Sequence, residues 1–116
     1  MKENVLNSEE MLRGALEFFN DALMVKDSVN DDTSRRLTKN LEQYAFFAFF
    51  HMWKALKNLG SIKNEKRFLE KTIDDFLGCI YVITELRLKG DLGALASMAL
   101  KSKVEAILIV LTRNSN

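Results

Sequence analysis

A chain of 116 residues is long enough for one hydrophobic core and too short for two. The absence of proline, only five glycines and a wealth of Leu, Ala, Lys and Glu exclude a turn-rich sheet protein and predict long uninterrupted helices, hence an all-α fold. A formal charge of +1 excludes a strong overall pull toward nucleic acid, and the lone Cys79 excludes a disulfide framework within the chain.

Charge is unevenly spread. Residues 1–34 hold three basic and eight acidic groups, −5, and residues 35–116 hold fourteen basic and eight acidic, +6, so an anionic partner is expected at the later helices. There is no secretory pattern and no apolar run of about 20 residues, which sets the expectation of a cytoplasmic protein with no membrane partner.

The first helix is expected over 8–26, opened by NSEE, where Asn7 or Ser8 caps and Glu10 closes a capping box. Its apolar stripe reads Leu12, Ala15, Leu16, Phe19, Ala22 and Leu23. The second helix, over 33–59, is capped by Asp32 or Thr33 and stopped at Gly60. Leu37, Leu41, Tyr44, Ala45, Ala48, Phe49, Met52 and Leu56 form its core stripe. On another face Phe46, Phe50 and Trp53 recur at spacings of four and three, with Phe47 between them. No helix of a four-helix bundle is surrounded on every side, so these four aromatics are expected to be capped by a chain terminus, tucked against a neighbouring helix edge or buried at a protein interface, the last being the leading expectation.

The third helix is expected over 64–89, with Leu69, Ile73, Phe76, Leu77, Ile80, Ile83 and Leu86 inward, Gly78 at a close helix approach and a stop at Gly90. Asp91 then caps a fourth helix over 92–113, whose stripe is Leu92, Leu95, Ala96, Ala99, Leu100, Val104, Ile107, Leu108 and Leu111. Short turns predict antiparallel neighbours, and so a single domain, 1–116, folded as an up-down-up-down four-helix bundle.

Catalytic chemistry finds little to work with. His51 is the only histidine, which is too few for a di-iron pair of Glu-x-x-His elements, structural zinc or Ser-His and Cys-His catalysis. It is read as a partly buried residue bonded to backbone or water in preference to a haem ligand beside Met52. Glu70, Asp74, Asp75 and Glu85 are read as solvated charge near Lys66, Arg67 and Lys71, and Cys79 as a small core residue. The Arg-x4-His pattern of helical ribonucleases of the HEPN class is absent, since Phe46 stands five residues before His51. No catalytic residue, metal, cofactor or small-molecule substrate is therefore expected.

The basic residues are the candidates for a nucleic-acid surface. Arg35, Arg36 and Lys39 open the second helix, Lys54 and Lys57 close it, and Lys63, Lys66 and Arg67 follow across the turn. The last five are expected to gather at one end of the bundle, where each phosphate they neutralise adds salt-sensitive affinity.

From Phe68 onward FLEKTIDDFLGCIYVITELRLKGDLG resembles the third helix and following turn of the four-helix-bundle family of ribosomal-RNA intervening-sequence proteins and the accessory variability determinants of diversity-generating retroelements. The likeness is carried by Phe68-Leu69, Leu77-Gly78, Glu85 and Lys89-Gly90-Asp91-Leu92, and by the Arg35-Arg36-Leu37 opening of the second helix. The proline before that helix and the Asn-x-x-Glu pattern within it are missing. The resemblance implies a ring-forming homo-oligomer, typically a pentamer, without enzymatic activity, and for the retroelement branch binding to a reverse transcriptase and structured RNA. The leading expectation is a self-associating RNA- or ribonucleoprotein-binding accessory subunit. The rival is a protein-interaction module, such as a phage-encoded inhibitor or a small subunit of a defence complex, that grips its partner through the exposed aromatics.

Overall fold

The first helix begins where the sequence offers a reciprocal cap. Asn7 Oδ1 accepts the Glu10 backbone N–H at 2.8 Å and Glu10 Oε1 accepts the Asn7 N–H at 3.0 Å. The structure is a computed structural model that describes residues 7–57 and 62–114, with side chains for 7–57 and 66–113. Helix α1 spans Ser8–Met24 and tightens into a 3-10 turn, Val25–Ser28, where continuation to Lys26 was expected. Met11, Ala15, Phe18 and Ala22 are its buried face, while Leu16 is exposed. Ala15 and Ala22 of the expected stripe are buried, but Leu12, Phe19 and Leu23 are half-buried, so the centre of the buried face is turned by about one residue. Two apolar stripes run side by side on α1, and the one holding Phe18 wins because that ring packs edge-on against Phe76 across the core, centroids 6.3 Å apart.

Asp31 caps α2 (Asp32–Lys57), displacing the expected Asp32 or Thr33: its Oδ1 accepts the Ser34 N–H at 2.8 Å. Leu41, Ala45, Ala48 and Met52 are buried as the period predicts, joined by Ala55. Tyr44 departs from the expected core stripe. Its ring stays partly exposed and lies across Gly78 of α3 (Ile62–Leu88), where a Cβ would stand 2.7–2.8 Å from ring carbons. The close approach expected at Gly78 is therefore made by a ring, not a helix backbone. The stop expected at Gly60 lies outside the described residues.

Gly90, at φ +87°, ends α3 with two bonds that close the turn. The Asp91 N–H reaches Leu86 O at 2.9 Å and the Gly90 N–H reaches Arg87 O at 3.0 Å. Asp91 does not cap the last helix as expected; its carboxylate accepts the buried Ser34 hydroxyl, tying this turn to the start of α2. Helix α4 (Ala94–Asn114) opens instead with the Gly93 carbonyl accepting the Ser97 N–H at 3.0 Å. Leu92, Leu100, Val104, Ile107 and Leu111 are buried as expected, but Leu95, Ala96 and Ala99 face outward, as does Leu77 on α3.

Each helix packs on its chain neighbours and α4 closes against α1, giving the antiparallel up-down-up-down four-helix bundle. Among the described residues there is no strand, and no helix is long and apolar enough to cross a membrane. Buried Thr38, Thr72 and Ser97 return their hydroxyls to carbonyls of their own helices, so they bring no unpaired polar group to the core. The shortest extent, 21 Å, is about two helix diameters, which leaves every helix with one uncovered side.

Candidate functional site

On α2 that uncovered side is aromatic. Phe46, Phe47, Phe50 and Trp53 keep 47, 44, 37 and 41% of their surface exposed, far above the nearly sealed core residues of the same helix. The rings form a belt. Phe46 stacks on Phe50 with centroids 6.2 Å apart, meets Phe47 edge-on at 5.5 Å and leans on Phe19 of α1 at 6.0 Å. Phe47 continues the belt onto His51 at 5.7 Å, and His51 onto Phe68 of α3 at 6.1 Å. Ring contacts thus run from Phe19 on α1 over α2 to Phe68 on α3, with the His51 imidazole among them.

The basic residues divide into two groups. Arg35, Arg36 and Lys39 share a groove of about 450 Å³ with Lys26, Thr38 and Glu42. Asp32 engages Arg35 at 3.4 Å on exposed surface, which leaves that cation accessible. Lys54 and Lys57 stand at the other end of α2, with exposed Lys66 and Arg67 on α3 at the same end of the bundle. From Arg36 to Lys54 the helix rises ~27 Å, so the two groups act as separate clusters. The side chain of Lys63 lies outside the described residues. Lys54 Nζ stands 5.5 Å from the Phe50 centroid and Lys71 Nζ 5.9 Å from that of Phe68, so cations border the belt at close quarters.

His51 finds a partner that spacing alone did not supply. Its Nδ1 lies 2.7 Å from Asp75 Oδ2, both side chains being 17% exposed, and Asp75 is therefore not the solvated charge it was read as. Burial pushes the Asp75 carboxyl above its ordinary range, and the bond to His51 pulls it back. One turn further on, Cys79 is fully buried, and burial together with the Asp75 charge drives its thiol strongly upward. A thiol held protonated is the reverse of an activated nucleophile. Among the described residues no three His, Cys, Asp or Glu side chains group as metal ligands. His51 and Asp75, with Phe47 and Phe68 stacked along the ring, pin α2 to α3.

Lys26, Phe19, Phe68 and Asp75 belong to these surfaces and were not singled out for them from the sequence. Lys26 alone had a signal, its place at the end of α1 next to the start of α2. No protein-family model matches the chain, and neither a curated protein nor a solved structure matches it.

Proposed function

We propose that this protein is a non-catalytic, self-associating accessory subunit that binds structured RNA within a ribonucleoprotein, a reverse transcriptase complex being one such setting. The supporting observation is the charge of α2: beyond Asp32 it carries Arg35, Arg36, Lys39, Lys54 and Lys57 against the single carboxylate of Glu42. Phosphates engage the Lys26–Arg35–Arg36–Lys39 groove at one end and Lys54, Lys66 and Arg67 at the other, while the aromatic belt serves protein contact. Filter binding of a structured RNA hairpin across a salt series tests this. Affinity should fall steeply with salt, and Lys54→Ala, Lys66→Ala and Arg67→Ala combined should lower it and flatten the slope by about three charges' worth. No binding at low salt, or an unchanged slope in that variant, removes the nucleic-acid half.

The half-exposed belt favours a second reading, a module that holds an unrelated protein. Under it, the chain alone is monomeric or dimeric, and Trp53→Ala weakens the heterocomplex. Capture undiminished by that substitution counts against it.

A further inference from the structure

Two outward stripes on neighbouring helices share one spacing. On α2, Lys39, Gln43, Phe46, Phe50, Trp53 and Lys57 follow steps of four, three, four, three and four, and all six are exposed. On α3, Glu70, Asp74, Leu77, Tyr81, Thr84 and Leu88 follow the same steps, all exposed except the half-buried Thr84. That alternation is the seam of helices packed at a shallow angle. Yet each seam faces away from the core of its own bundle, and each has an apolar centre.

We propose that the α2 seam of one copy docks antiparallel on the α3 seam of the next, with Phe46 against Tyr81, Phe50 against Leu77, and Lys57 against Glu70. This rests on the self-association in the reading above and names its contact. Charge selects the pairing. An α2 seam facing its own copy in antiparallel fashion sets Lys39 against Lys57, and in parallel fashion sets each lysine against itself; either is repulsive. Docked on α3 in this register, Lys57 meets Glu70, and Asp74 stands opposite Trp53 with no acidic residue of the α2 seam to repel it. The parallel alternative would bring Arg35 and Arg36 onto Lys66 and Arg67, so the antiparallel sense is preferred.

The geometry closes. Helices α2 and α3 already run antiparallel within a chain, so rotating a copy about an axis parallel to the bundle presents its α3 antiparallel to a neighbour's α2. Within the chain, His51 faces Asp75 and Tyr44 faces Gly78, and the proposed register falls within about one helical turn of theirs, so little sliding is needed. Outward faces at adjacent corners of a bundle diverge by about a right angle. Each docking then leaves one seam of each kind free, and a constant turn per copy in one sense closes a small ring.

The test is sedimentation velocity on the full chain. Wild type should sediment as a discrete small ring, Phe50→Asp and Leu77→Asp should each be monomeric, and their equimolar mixture should stop at a dimer. Only a contact between unlike faces yields that dimer, since each variant retains the face the other lacks. Circular dichroism checks that both variants fold, and charge reversal covers the case in which they do not. Lys57→Glu or Glu70→Lys alone should weaken association by about tenfold, and the two together should restore it. A wild-type oligomer that persists in Leu77→Asp, or a mixture that stays monomeric, overturns this contact while leaving self-association standing. A wild type that is monomeric at every concentration overturns both.

Discussion

Gly78→Ala should change sign with its neighbour. Replacing an interior helix glycine with alanine ordinarily stabilises by roughly 0.5–1 kcal/mol, because the unfolded chain loses freedom and the helix gains propensity. Here the new methyl would stand 2.7–2.8 Å from three atoms of the Tyr44 ring, closer than carbon atoms pack, so the ring must move off α3. Forced repacking of this kind costs about 1–3 kcal/mol. Subtracting the helix gain leaves a net loss of about 1 kcal/mol. In a Tyr44→Ala background the ring is gone, and Gly78→Ala should stabilise by the full 0.5–1 kcal/mol, roughly the intrinsic value. Urea unfolding followed by circular dichroism at one fixed protein concentration reads all four corners of the cycle, the concentration being held because assembly shifts apparent stability. Equal stabilisation in both backgrounds would refute the close approach of Tyr44 to Gly78.

Two aspartates should bend the acid limb of the pH–stability curve in opposite directions. Burial raises the Asp75 carboxyl above its ordinary 3.8, so the folded state favours its proton; that contribution is complete below 3.8 and is lost as pH climbs through the raised value. Asp75→Asn should remove that decline, and urea midpoints parallel to wild type across this window would contradict it. The Ser34 N–H holds Asp31 below 3.8, so its contribution is complete above 3.8 and is lost as pH falls through the lowered value. Asp31→Ala should lower stability at neutral pH and erase that acid-side loss, as thermal melts over a pH series would show. Cys79 should react with a thiol reagent only as fast as the bundle opens, and modification at the rate of a free thiol would place it outside the core.

The helices and their pairing were legible because Leu41, Ala45, Ala48 and Met52 on α2, and Val104, Ile107 and Leu111 on α4, each recur at helical spacing on one buried face. Register failed where apolar residues surround the helix. On α1, Met11–Ala15–Phe18 and Leu12–Leu16–Phe19 are equally good helical stripes, and only the position of Phe76 on another helix decides between them. On α4, Leu95 reads as core by period yet is 83% exposed, since Ser97 takes the inward position and satisfies its hydroxyl on Ala94 O. Caps failed for a different reason. Residues 30–33 read NDDT, four good capping side chains in a row, and the choice of Asp31 follows from Ser34, which bonds both it and the distant Asp91. Phe46, Phe50 and Trp53 keep more than a third of their surface exposed, as the geometry of a four-helix bundle implies for a stripe turned away from its core. The His51–Asp75 bond was not legible, since it joins residues 24 positions apart on two helices.

The only tryptophan of the chain, Trp53, stands on the outer belt and not in the core. Its emission is therefore a natural reporter of what touches α2. An occupant that seals the belt should shift the spectrum to the blue and shield the indole from iodide, whereas melting an undocked monomer, such as the Leu77→Asp variant, alters an already wet ring only modestly. In this molecule the intrinsic optical signal follows company more closely than folding.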